Sequence, residues 1–377
     1  MKTESLYYDN TQWQFETQTI ENKSDVTLVM AFGDTDTFED SKHYEYLKNL
    51  YPNADIVGSS SSGNVLGAQI SERSIVATAI SFNSSNTKIN VVDFSANDDL
   101  EKVSRDLVAS LSDENLKSIF IISDGLNMNG SILAQGVNLE KENILITGGL
   151  AGDGARFEKT LVMANDAPKQ KRLVAIGFYG DSVHVSSGCF GGWERFGIER
   201  VITKSSANVV YEIDNEPALS LYKKYLGEEA DKLPGSGLRF PLDVTYPNSD
   251  KSTVRTLLAV SEKDQSLTFA GDIPKDSTVH LMKTDIDGLI DGSGHAAERI
   301  NQKNTDNALG LIVSCVGRRL VMDELVDEEL EIIEDVIGKN VHLTGFYSYG
   351  ELAPFSNEIL NCQLHNQTMT LTVIYED

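Results

Sequence analysis

Three short runs gather most of the residues able to do chemistry in this 377-residue chain. Gly148-Gly149-Leu150-Ala151-Gly152-Asp153-Gly154 follows an apolar stretch and sets a carboxylate among glycines. Gly188-Cys189-Phe190-Gly191-Gly192-Trp193-Glu194-Arg195-Phe196-Gly197 mixes aromatics with glycines. Ser314-Cys315-Val316-Gly317-Arg318-Arg319, taken with Gly345-Phe346-Tyr347-Ser348-Tyr349-Gly350-Glu351, adds a thiol, two guanidinium groups, two phenols and an acid. Glycine permits tight turns and close approach of backbone to a ligand. Arginine can clamp a carboxylate through two parallel hydrogen bonds. Aromatics wall small-molecule pockets. Gly152, Asp153, Trp193, Arg318, Tyr347, Tyr349 and Glu351 are therefore the candidate ligand-binding residues, for a small anion or an amino acid. The competing reading of Arg318 and Arg319 is a strained turn whose arginines pair with local acids.

Familiar catalytic signatures are absent from the sequence. It contains no Gly-x-x-x-x-Gly-Lys-Ser/Thr phosphate loop and no His-Glu-x-x-His. It has no Gly-x-Ser-x-Gly elbow. The Gly148–Gly154 run departs from the dinucleotide fingerprint, because Ala155-Arg156-Phe157-Glu158 does not supply the last glycine. Asp285-x-Asp287-Gly288 is a poor calcium loop, with Leu289 and Ala296 where oxygen ligands belong. Cys315 is the one nucleophile considered, and its activation would need a base and an electropositive setting. The six histidines, at 43, 184, 280, 295, 342 and 365, make no close metal-ligand pair. A single imidazole in an apolar pocket can still hold haem iron.

These runs need elements to position them. Apolar stretches at Val26–Phe32, Ser118–Ser123, Ile144–Thr147, Ala308–Val316, Val341–Tyr347 and Thr368–Tyr375 read as buried strands. Helical spacing marks Asp98–Ser112, Asn129–Leu139, Pro217–Leu226, Asp285–Arg299 and Asp323–Ile337. Ser74–Phe82 passes straight into Lys88–Phe94, which predicts antiparallel pairing. Arg172–Gly192 predicts a second hairpin about Tyr179-Gly180-Asp181-Ser182. Leu233–Asn248 reads as an ordered loop. No internal repeat is visible. The expected fold is mixed α/β, two domains (residues 1–205 and 206–377) whose mixed or antiparallel sheets are flanked by helices. Apolar strands before Gly317 and before Tyr347 should be neighbours, bringing Arg318, Tyr347, Tyr349 and Glu351 to converging strand ends.

Charge bounds the partners. There are 57 Asp+Glu against 32 Lys+Arg, a net of −25. Such a chain suits neither nucleic acid, which needs clustered cations, nor an anionic membrane surface. Three scattered cysteines fit neither a disulfide framework nor zinc, and suit a reducing compartment. No signal peptide and no run of about 18 apolar residues is evident, so a soluble cytoplasmic protein is expected.

Taken in order, several segments resemble the FIST family of bacterial sensory proteins, which carry a FIST N and a FIST C domain. They are Gly58-Ser59-Ser60-Ser61-Ser62-Gly63, Gly148 to Thr160, Gly191-Gly192-Trp193, Asp214-x-x-Pro217-Ala218-Leu219-x-x-Tyr222, Cys315-Val316-Gly317-Arg318, Gly345 to Pro354, and Leu364-His365-Asn366-Gln367-Thr368-Met369-Thr370. The chain departs from the family pattern at Ser59, where cysteine is frequent, and at Asn64, where an acid is usual. The resemblance implies a non-enzymatic ligand-binding sensor acting with chemotaxis receptors, histidine kinases or cyclic-di-GMP enzymes (a diguanylate cyclase or phosphodiesterase). A stand-alone two-domain subset, the NosP proteins, binds haem and senses nitric oxide through a separate partner. With no output domain expected in these 377 residues, the chain is similar to that subset. Haem is then the implied cofactor and His365, inside a family-like run, the first choice of iron ligand. His184 and His342 come next, then His295. The alternatives are a sensor of a polar metabolite such as an amino acid, without haem, and an enzyme using Cys315.

Overall fold

The computed structural model describes residues 1–71, 74–112, 114–247, 249, 251–300, 307–356 and 359–377. The fold is mixed α/β, as expected, with helices packed on sheets that are mixed or antiparallel. The body of the molecule holds three sheets of like design. The first is built on Lys2–Tyr8, Leu28–Gly33, Asp55–Ser60 and Ile75–Ser81. Asn86–Asp93, Leu116–Ser123, Leu145–Leu150 and Arg172–Tyr179 make the second. Val183–Phe190, Ala308–Cys315, Val341–Ser348 and Met369–Glu376 make the third. In each, the second and third strands are parallel and joined through helix. The fourth strand runs antiparallel to the second, and the first antiparallel to the fourth.

These three units exchange strands in a closed ring. The chain leaving each third strand adds a strand alongside the third strand of another unit's sheet. Asn64–Leu66 pairs with Val341–Ser348. Val162–Ala164 pairs with Asp55–Ser60, and Gly350–Ser356 with Leu145–Leu150. Where the three crossings meet, Ser62 N–H donates to Tyr347 O (2.8 Å), Tyr349 N–H to Leu150 O (3.0 Å) and Gly152 N–H to Ser60 O (3.2 Å). Each third strand also carries one glycine against its parallel neighbour. A Cβ on Gly58, Gly148 or Gly345 would fall 1.8, 2.0 or 1.9 Å from the carbonyl oxygen of Ala31, Ile121 or Ile312. The body is thus a threefold structural repeat that the sequence does not display.

Strand faces sort the core. Phe120 and Ile122 point into a central cluster with Phe32, Val313 and Phe346, drawn from all three units. Ile119 and Ile121 point outward to Leu107, Leu133 and Val137 of the covering helices. Burial on both faces explains the unbroken apolar run. Both expected hairpins are corrected by this arrangement. Ile75–Ser81 and Asn86–Asp93 lie in different sheets, as do Arg172–Tyr179 and Val183–Phe190. Each short passage is a crossing between units, and loop length does not distinguish a crossing from a hairpin.

A fourth, wholly antiparallel sheet spans Glu194–Ser206 to Thr278–Lys283. It is inserted between the first and second strands of the third unit, and Glu194 pairs with Lys283 where chain enters and leaves. Its core is its own, formed by Ile202, Leu219, Tyr222, Phe269 and neighbours. Two strands flanking residues 9–12, Lys2–Tyr8 and Trp13–Thr17, were not expected, and the 233–248 stretch contains the strand Leu242–Thr245. Strands from both sides of residue 205 pair within the second and third sheets.

Candidate functional site

The structure places most of the candidate residues at two positions, with Glu351 in neither. The first is a closed ionic network in the third unit. Ala308–Cys315 and Val341–Ser348 are parallel neighbours, so Arg318, one turn into the helix Val316–Met322, lies near Tyr347. Both side chains reach Glu329. Arg318 donates to its Oε2 from Nε (3.1 Å) and Nη2 (2.7 Å). The Tyr347 hydroxyl donates to Glu329 Oε1 at 2.5 Å, and the Ser314 hydroxyl donates to the same oxygen at 3.1 Å. Remaining guanidinium protons go to Gly191 O, Leu289 O and Ser293 Oγ. Arg318, Glu329 and Tyr347 are fully buried. This geometry is the local-acid pairing, and it leaves Arg318 no free edge for a ligand. Trp193 is half-buried and donates from Nε1 to Gln367 O at 2.9 Å. Arg319 donates to Ser62 O and lies over the Tyr347 ring.

Glu351 is a separate buried acid. Its carboxyl accepts from Ser348 Oγ (2.7 Å), Thr368 Oγ1 (3.0 Å) and Thr368 N–H (3.2 Å). Burial pushes it up to about 8 against the pull of those donors.

The second place is a cleft between the body and the inserted sheet. It lies past the C-terminal ends of the parallel pair Leu116–Ser123 and Leu145–Leu150, the position where α/β ligand sites form. Its cavity measures about 370 Å³. Leu126, Met128, Leu150, Phe157, Tyr349 and Leu364 line it from the body, and Leu258, Phe269 and Gly271 from the insertion. Two buried aspartates shape the wall. Asp124 accepts the N–H groups of Leu126 (2.8 Å) and Asn127 (2.9 Å) and the Thr160 hydroxyl (2.8 Å). Asp153 accepts N–H groups from Phe157 (2.9 Å), Glu158 and Lys159 (both 2.8 Å), and the Tyr349 hydroxyl. Burial would raise Asp153, but the Tyr349 hydroxyl and the three N–H groups hold it below the usual carboxylate range. Phe157 sits at φ +56°, an unfavourable region for an aromatic residue, and stacks on Tyr349 with centroids 4.3 Å apart. Tyr349 thus lines this cleft, and Asp153 holds the Phe157 loop from behind its wall. Gly152 contacts Ser62 behind it, where a Cβ would fall 2.2 Å from Ser62 Oγ.

Sequence reasoning missed Leu126, Met128, Phe157, Leu258 and the insertion's whole contribution. One signal was present: Asp124-Gly125 directly follows a buried strand.

Around His365 the residues do not fit haem. Its Nε2–H donates to Ala353 O at 3.1 Å, and its ring meets Phe355 edge-on at 5.2 Å. The ring is buried, burial lowers its pKa to about 4, and it lines neither cavity along the cleft. The other histidines considered are engaged too. His342 meets Ser5 Oγ at 2.6 Å, His184 meets Asp377 at 2.7 Å, and His295 meets Glu298 at 3.0 Å. Among the described residues, no group of three His, Cys, Asp or Glu is placed to hold a metal ion. Cys315 lacks the setting of a nucleophile: it is 4% exposed, and burial, with Glu351 nearby, pushes its thiol up.

Comparison with known proteins finds two family models that match most of the chain. The FIST N domain model matches residues 27–216 and the FIST C domain model residues 218–354. An uncharacterized protein of Methanocaldococcus jannaschii is 26% identical over 258 residues, 62% of this chain and 49% of that protein, so the chain spans about half the length of the curated relative it matches. Two solved structures align at low scores. A cyanuric acid hydrolase from A. caulinodans gives a TM-score of 0.37 at 7% identity, covering 94% of this chain and 91% of that one. A chorismatase gives 0.35 at 9% identity, covering 99% and 98%. Neither score supports an argument about activity. FIST domains are the domains of sensory signalling proteins. With matches to both domains running from residue 27 to residue 354, the chain belongs to the FIST family.

Proposed function

We propose that this chain is a cytoplasmic, non-enzymatic sensor that binds a small molecule in the cleft between body and insertion, and that cleft occupancy regulates a separate signalling partner, a histidine kinase or a cyclic-di-GMP enzyme. The observation that carries the reading is the cleft wall itself. Two buried aspartates hold its loops, and Phe157 is kept at an unfavourable backbone angle while offering an aromatic face. Backbone strain of this kind persists only where surrounding structure over-determines it, and it clusters at ligand sites. The cavity of about 370 Å³ falls in the range of small-molecule pockets. Transmission is geometric. The cleft has one wall on each of two separately cored parts, so a ligand bridging them shifts the balance between open and closed arrangements by its differential affinity.

A thermal-shift screen of small metabolites against the wild type and Leu126→Trp tests this reading. Leu126 is partly exposed on the cavity wall, and a tryptophan there fills the space. Compounds that raise the melting temperature of the wild type should lose their effect in the variant. Shifts that survive unchanged in Leu126→Trp, or a wild type that responds to nothing, would refute it. The signalling step is read separately, by adding the liganded and free chain to a partner kinase and following its autophosphorylation.

A further inference from the structure

Beside the first cavity, on the same seam, lies a second of about 440 Å³. Ser131, Asn138, Tyr246, Arg255, Asp272 and Leu364 are among its lining residues, and Leu364 lines both cavities. Arg255 comes from the insertion and is 2% exposed. Its hydrogen bonds go to neutral oxygens alone: Nη1 donates to Leu364 O (2.9 Å) and Val254 O (3.2 Å), and Nη2 to the Tyr246 hydroxyl. Nε has no partner. Among the described residues, no carboxylate forms an ion pair with this guanidinium. Gly271, on the wall of the first cavity, lies directly against it, since a Cβ there would fall 2.8 Å from Nε. The charged head therefore sits between the two cavities.

A buried charge without a counterion is costly, and arginine cannot relieve the cost by losing its proton. Charge can be retained at such a place if the missing counterion arrives with a ligand. Resting on the cleft reading above, we infer that the ligand is a small organic carboxylate. Its anionic head pairs with Arg255, and its apolar remainder lies toward Leu364, Leu150 and Phe157. Asp272 is on the wall of the second cavity, with Oδ1 accepting from Asn129 Nδ2 at 3.2 Å. That acid disfavours a second negative charge, so monocarboxylates are expected over dicarboxylates.

The test is calorimetric titration of the full chain with phenylacetate, hexanoate and succinate, each beside its amide. Charge-assisted hydrogen bonds imply that a monocarboxylate binds about ten- to a hundred-fold tighter than its amide. Arg255→Met should abolish that preference, and Arg255→Lys should leave an intermediate one. Arg255→Met should also keep or raise the melting temperature of the free protein, because it removes an uncompensated charge. Equal binding of acid and amide, a preference that survives Arg255→Met, or no carboxylate binding at all would overturn the inference. So would a fall of more than about 4 °C in Arg255→Met without any carboxylate effect, since Arg255 would then be only a latch to Leu364. Leu126→Trp separates the two readings: loss of acid and amide binding together supports the cleft, whereas unchanged binding there removes the cleft reading itself.

Discussion

Arg318 and Arg255 are both buried arginines, one in the helix Val316–Met322 and one at the end of a strand, and they differ in their counterions. Arg318 has a carboxylate, Glu329, whose oxygens accept from Arg318, Ser293, Ser314 and Tyr347, all internal donors. Arg255 has carbonyl and hydroxyl oxygens and the Tyr246 ring at 5.7 Å, and among the described residues no carboxylate. The contrast separates a cation that fixes the architecture from one that can take an external counterion. Arg318 joins the helix Val316–Met322 to the helix Glu328–Ile337 and to Gly191, beside the insertion's entry point. Arg255 sits on the seam where the insertion meets the body. A closed network holds parts in place, and an incomplete one at a movable seam is suited to recognition. Glu351 is a third case: a buried acid with three neutral donors, which answers the missing cation by holding its proton.

The largest effect should come from opening the closed network. Glu329→Ala leaves Arg318 buried and unpaired, and should cost about 3–5 kcal/mol of stability in urea titrations. A loss below about 1 kcal/mol would mean that the pair is not the anchor described.

Next comes pH. Burial pushes the Glu351 carboxyl up to about 8 in the folded chain against an ordinary 4.5 in the unfolded one, so between those values the folded state holds more protons and stability falls as pH rises. His365 works oppositely: near 4 folded against 6.5, it makes stability rise with pH across that interval. The two slopes oppose each other up to about pH 6.5, and Glu351 dominates above it. Glu351→Gln should flatten the decline from pH 6.5 to 8, by an amount on the order of 1–2 kcal/mol. An unchanged slope in the variant would assign the decline elsewhere.

A smaller loss is expected for Tyr349→Phe, which removes one donor from Asp153 and leaves three N–H groups in place. About 1 kcal/mol is expected, with faster hydrogen exchange confined to residues 153–160. Protection changes spread over the whole body would contradict the local role.

Arg255→Met should be the mildest in free protein, within about 1 kcal/mol of wild type. Together with Glu329→Ala it decides whether the two arginines differ as described. Equal large losses in both would erase the distinction.

Several features were legible in the chain itself. Apolar runs such as Ser118–Ile122 and Ala308–Val313 marked the buried strands, because strands covered on both faces must be apolar throughout. Helical spacing marked Asp98–Ser112, and the helix runs Leu100–Ala109 within it. The order of short motifs identified the family; Gly58–Gly63, Gly148–Gly154 and Gly345–Gly350 fell at the three crossings, and Gly188–Gly197 at the entry to the insertion. Charge and the missing signatures bounded the chemistry. Those signals are local, so neighbouring residues suffice to read them.

Pairing was decided only in three dimensions. The threefold repeat rests on backbone hydrogen bonds and one glycine per unit, and side-chain identities need not repeat to satisfy either. Passages between units look like hairpins because a few polar residues serve both. The cleft draws Leu126, Phe157, Leu258 and Leu364 from separate strands and loops. Most telling is the fate of the arginines. Arg318 stood among aromatics and glycines and was the natural candidate for a ligand clamp, while Arg255 stood alone in an ordinary strand. Whether a guanidinium is satisfied depends on which oxygens the fold carries to within about 3 Å, and no property of the adjoining sequence records that.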